Sequence, residues 1–99
     1  MSKLHRAASV RQIDEQCIVL EFTPDRYRIQ SVQLIRQDPG RAIHEYEATI
    51  NDARDRLVID CGQTPPVCLV GSSKHVIDHH VQEEILQALC RTASSLVTP

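Results

Sequence analysis

G-S-S-K-H-V-I-D-H-H-V-Q-E-E-I-L-Q-A-L-C-R-T-A-S-S-L-V, residues 71–97, is the stretch on which the reading of the fold turns. Ile77, Val81, Ile85, Leu89, Ala93 and Leu96 recur at helical spacing, and Leu86, Cys90 and Val97 widen the apolar stripe to about half the circumference. Glu83, Glu84, Gln87, Arg91 and Ser94 fill the opposite side. The pattern predicts one long amphipathic helix, N-capped by Ser72 or Ser73. At about 1.5 Å per residue such a helix is roughly 35 Å long, whereas a domain of this size has a radius of gyration near 13 Å. Its end must project, or a partner must cover part of its stripe. Homodimerisation through this surface is the corresponding expectation.

Upstream of the helix, β-branched and alternating segments predict strands. Cys17–Thr23 places Ile18, Leu20 and Phe22 on one face, and Arg56–Cys61 and Val67–Val70 are short apolar strands. Tyr27–Gln37 alternates in two halves with one slip of phase, which a bulged strand explains. Thr23-Pro24-Asp25 fits either a type I turn or a helix start. Asp38-Pro39-Gly40 carries the same ambiguity. After it, Ile43, Tyr46, Ile50, Ala53 and Leu57 form a helical stripe. The alternative for 41–54 is a strand with a turn at Asn51-Asp52. The helix fits slightly better, because the alternating set Ala42, His44, Tyr46, Ala48 and Ile50 is interrupted by a histidine. The expected fold is α+β: a mainly antiparallel sheet of about four strands packed against the long C-terminal helix, with a second helix at 41–54 as the leading alternative there.

The 99 residues suit one domain, 1–99, with residues 1–12 loosely ordered because they are mostly polar. Apolar residues make up 41% and charged residues 24%, a globular rather than a disordered composition. Phe22, Tyr27 and Tyr46 are the aromatic residues, so aliphatic side chains must build the core. A net charge of −2 argues against sequence-independent nucleic-acid binding, and the arginines are interleaved with acids. No apolar run reaches the roughly 18–20 residues of a membrane span, and the N-terminal dozen lacks a signal-peptide core. The cytoplasm is the expected compartment. Reduced thiols fit it, since Cys17, Cys61, Cys68 and Cys90 each lie in or beside an apolar run.

Three patterns could carry chemistry. Cys61, Cys68, His75 and His79 form C-x6-C-x6-H-x3-H, two thiols and two imidazoles in order, with His75 and His79 on one side of the expected helix. The spacing departs from zinc fingers, and Val76 stands where a zinc hydrolase needs glutamate, while His80 points away from His79. Val70-Gly71-Ser72-Ser73-Lys74 could seat an anion at a helix start, although it is not a P-loop. Cys61 or Cys68 could combine with His75, and Asp60, Asp78 or Glu21 could orient such a pair, but 13 acids and 5 histidines supply such combinations by chance. No catalytic residues and no cofactor are therefore assigned. The leading expectation is a small cytoplasmic binding or adaptor protein, without catalytic activity, that contacts another protein or itself. The alternatives are a zinc-type metal-binding protein using Cys61, Cys68, His75 and His79, and a nucleic-acid-associated protein using Arg26, Arg28 and Arg36.

Overall fold

In the computed structural model, which describes residues 8–38, 40 and 42–95, seven strands follow one another as an antiparallel meander. They are β1 (Ser9–Asp14), β2 (Cys17–Glu21), β3 (Arg26–Asp38), β4 (Ile43–Ile50), β5 (Ala53–Asp60), β6 (Val67–Val70) and β7 (Ser73–Val76). A single helix among the described residues, α1 (His79–Thr92), comes next, and the two-residue β8 (Ser94–Ser95) joins β3 in parallel.

Two tight loops set this topology. Ile50 pairs with Ala53 across Asn51-Asp52, both of which have positive φ (51° and 71°). That is the twist a two-residue hairpin requires, and Asn and Asp tolerate it best among residues with a side chain. The Asn51 side chain also ties the loop to β3: Oδ1 accepts from Arg28 N at 2.9 Å, and Nδ2 donates to Arg26 O at 3.3 Å. Val70 likewise pairs with Ser73 across Gly71-Ser72, with Gly71 at φ +59°. A Cβ at Gly71 would come within 2.5 Å of Asp55 Oδ2 and push that exposed carboxylate aside, while the left-handed backbone itself favours glycine.

The strands alternate, and their inner residues form one core. Ile18, Leu20, Phe22, Ile29, Val32, Tyr46, Ala48, Ile50, Leu57, Ile59, Cys68 and Val70 are buried in the same cluster. Ile77 and, from α1, Val81, Ile85, Ala88 and Leu89 complete it. The helix packs on β1, β2 and β3. The rest of the sheet curls into a half-barrel over the same core, which brings β7 back to the β2–β3 hairpin. There the His75 ring stacks on Phe22 at 4.0 Å between centroids, and its Nε2 shares a 3.1 Å hydrogen bond with the Tyr27 hydroxyl.

A four-stranded sheet under a long helix is thus overturned. The helix starts at His79 rather than after Ser73, with Asp78 at the N-cap position. Residues 73–76, expected within the helix, are instead the second arm of a hairpin, because Gly71-Ser72 turns the chain back along β6. At the other end the helix stops at Thr92. β2 pairs only with residues Arg26–Gln30 of the 13-residue β3, and β8 takes up part of the edge left beyond it, at Gln33 and Leu34. Leu96 and Val97, the expected end of the helical stripe, lie outside the described residues.

The helix expected at 41–54 is also overturned. Tyr46, Ala48 and Ile50 alternate inward on β4, and the helical coincidence of Ile43, Tyr46 and Ile50 mixes the two faces of a strand. In β3 the phase slip is a pair of register shifts, between Gln30 and Gln33 and between Leu34 and Arg36, with Ser31 at φ 53°. Of the N-terminal dozen, residues 1–7 lie outside the described residues and Ser9–Asp14 form β1.

Substituting Gly71→Ala forces a side chain into left-handed backbone and against Asp55. It is expected to lower stability by about 1–3 kcal/mol. Urea denaturation should show a lower midpoint at unchanged slope, and a midpoint equal to that of the native chain would contradict the role given to this loop.

Candidate functional site

The four residues of the C-x6-C-x6-H-x3-H pattern do not converge. Cys68 is fully buried on the inner face of β6, opposite His75 in the register, and burial pushes its thiol pKa up to about 12. A thiol held so firmly in its protonated form is a poor metal ligand. Cys61 follows β5 and is half-buried; burial, then the Asp60 carboxylate, raises its pKa. His75 belongs to β7 and is engaged by Phe22 and Tyr27, whereas His79 is exposed on the first turn of α1. The two histidines therefore share no helical face, which removes the basis of the pattern. Among the described residues no group of three or more His, Cys, Asp and Glu side chains is placed to hold a metal.

The proposed anion seat at Val70–Lys74 is a hairpin loop rather than a helix start, and Lys74 faces outward opposite Leu69. At the true helix start, Asp78 makes no side-chain cap hydrogen bond, and its Oδ2 is buried without a partner among the described residues. Glu21, considered as an orienting carboxylate, bonds Arg26 at 2.9 Å, and that hydrogen bond and charge hold its pKa below the ordinary carboxylate range. Arg54 and Arg56 are likewise paired on the convex face, with Glu47 at 2.9 Å and Glu45 at 3.1 Å. Arg36 stands opposite Glu45 in the register. The positive charges of Arg26, Arg54 and Arg56 are answered locally, which weakens a phosphate-binding role for them.

Two other features stand out. The first is on the convex face of β5–β7, the side of an antiparallel sheet that water ordinarily wets. Val58 stands opposite Leu69 and Val67 opposite Val76, with Ile43 across β5 from them. None of the five belongs to the core cluster. Val76 is 49% exposed, Ile43, Val58 and Leu69 are half-buried, and Val67 is buried beneath them. Glu45 and Lys74 border this apolar surface in the register, and Asp60 stands within it, between Ile43 and Val67.

The second is a cleft of about 330 Å³ between the C-terminal half of α1 and strands β3 and β4, lined by Leu34, Gln37, His44, Tyr46, Leu86, Cys90 and Ala93. It forms where the sheet curls away from the helix end. Tyr46 is only 5% exposed, and burial, aided by the neighbouring Cys90 and Cys61, raises its phenol pKa to about 12. Burial also lowers the pKa of His44. Both rings are accordingly uncharged at neutral pH. Sequence reading missed the cleft because it placed His44 and Tyr46 on a helix. The signal was present, since a histidine interrupting an otherwise inward-facing alternation marks a strand end where the core gives way to a polar edge.

Comparison with protein-family models, with curated proteins and with solved structures finds no match to this chain. Among the described residues, no helix is long and apolar enough to cross a membrane.

The lowered His44 pKa has a definite consequence. The unfolded chain binds a proton at His44 near pH 6.5, while the folded chain resists it to lower pH. Stability should fall as pH drops below about 6.5. Guanidinium denaturation of His44→Gln across pH 7 to 5 should show a shallower fall than the native chain, and parallel curves would contradict this assignment. In the same way, the Cys68 thiol should resist a thiol-reactive disulfide in the folded state and react on unfolding, as residue-resolved mass spectrometry can follow.

Proposed function

We propose that this chain is a non-catalytic binding protein that works by contact with another protein, and that the convex face of β5–β7 is the contact surface. The observation that supports this reading is the apolar group Ile43, Val58, Leu69 and Val76, gathered around the buried Val67 on the outer face of the sheet. A contact patch with an apolar centre and a polar rim is the usual anatomy of a protein interface; Glu45 and Lys74 supply the rim, and Asp60 places one carboxylate within the patch. The free edges of the sheet are less suited to pairing with another strand. β1 is exposed and irregular between Gln12 and Asp14, and β7 is four residues long and carries Lys74. The four free thiols suit a reducing compartment, and we place the protein in the cytoplasm on that ground.

Leu69→Asp and Val76→Asp alter only the outer face, so each should leave the folded amide spectrum and the core intact. Affinity capture from the source cell with native chain and with each variant is the test. A partner retained by the native chain and lost by both variants is expected. Identical captured sets, or a partner indifferent to both charges, would refute the assignment. A partner that proves to be a second copy would appear as a native dimer in sedimentation that the aspartates dissociate.

A further inference from the structure

We propose that the cleft between α1 and strands β3 and β4 is a binding site for a small uncharged molecule with an apolar body and a hydrogen-bond-accepting oxygen, received by the Tyr46 hydroxyl. This site is separate from the convex surface and lies on the opposite side of the sheet.

Three observations lead to it. The cleft encloses about 330 Å³, at the small end of the range of roughly 300–1,000 Å³ typical of ligand pockets. Its occupant is therefore smaller than a drug-sized compound. Leu34, Leu86, Ala93 and the Tyr46 ring form apolar walls, and Gln37, His44 and the Tyr46 hydroxyl supply a few polar groups, which is the ordinary division of labour in such a pocket.

Next, the Tyr46 hydroxyl has no hydrogen-bond partner among the described residues, although the residue is 95% buried (5% exposed). The hydroxyl oxygen itself still reaches solvent, since the buried unpartnered polar atom among the described residues is Asp78 Oδ2, so an occupant that covers it must offer an acceptor in place of water. Here the position open to a partner is the cleft that the side chain lines. Tyr46 can donate to a carbonyl or ether oxygen there. Neither the His44 nor the Gln37 side chain has a hydrogen-bond partner among the described residues, so each can bond a second polar atom of the occupant.

Lastly, among the described residues the lining contains no acidic, lysine or arginine side chain. With Tyr46 protonated and His44 neutral at pH 7, nothing in the wall would compensate a charge brought out of water. That selects against carboxylates, phosphates and ammonium groups. It favours aromatic or branched aliphatic ketones, aldehydes, esters and amides.

Titrations followed by amide NMR distinguish these features with three probes of one size: acetophenone, toluene and benzoate. Acetophenone should shift the amides of Gln37, His44, Tyr46, Leu86 and Cys90. Toluene, with the same body and no oxygen, should bind the same place more weakly, and benzoate should leave these amides unmoved. Tyr46→Phe removes one hydroxyl from a residue whose ring stays in place. It should weaken acetophenone by about three- to tenfold and leave toluene unchanged, since one net hydrogen bond is lost. Ala93→Leu fills the cleft from the extended residue that follows α1 and should abolish both interactions while the rest of the spectrum persists. Cleft amides unmoved by acetophenone up to its solubility limit would overturn the proposal. So would equal acetophenone binding by Tyr46→Phe and native chain, or benzoate binding as strong as that of the ketone.

Discussion

The structure depends on one mismatch of widths. Seven strands at about 4.8 Å spacing make a sheet close to 29 Å across, whereas a helix with its side chains is only about 10–12 Å wide. α1 can cover the inner faces of β1, β2 and β3 and little more. The remaining inner residues, from Tyr46 to Val70, must find cover elsewhere. The natural twist of an antiparallel sheet supplies it by curling the second half over the first. The stacked Phe22 and His75 rings are where that curl meets its starting point. The cleft at the other end is where curl and helix fail to meet.

Much of the strand content was legible because it rests on local rules. Cys17–Thr23, Arg56–Cys61 and Val67–Val70 contain β-branched residues or alternate, and each overlaps an observed strand. The slip in the middle of Tyr27–Gln37 was legible as a bulge for the same reason. The errors came where two periodicities coincide. Ile43, Tyr46 and Ile50 are spaced by three and four, which suits a helix, yet Tyr46 and Ile50 also share one face of a strand. The loop Asn51-Asp52 decides between them, since both residues take positive φ, and its weight is visible only once the hairpin is known. In residues 71–97 the amphipathic pattern was real over Val81–Leu89. The pattern was overextended at both ends, because Gly71-Ser72 begins a hairpin and the edge of β3 beyond Gln30 draws the chain out after Thr92.

The site was less legible than the fold. Chemistry was sought where ligand-type residues cluster along the chain, at His75, His79 and His80. A sheet meander instead unites residues from distant strands. Leu34, His44, Tyr46 and Cys90 are unremarkable in sequence and become neighbours only through the register of β3 with β4 and the position of α1. Conversely, Cys68 and His75 do face each other across β6 and β7, as two members of the expected set, but in an interior that keeps the thiol protonated.

The hydrogen bond from Gln12 Nε2 to Thr92 Oγ1 spans 80 residues of chain. It marks an ordering in time as well as in space. The helix that shelters β1, β2 and β3 is synthesised after all seven strands, so Ile18, Leu20 and Ile29 leave the ribosome long before their cover exists. Completion of this core therefore waits for the synthesis of α1, and until then the aliphatic inner face of β1, β2 and β3 lacks its cover.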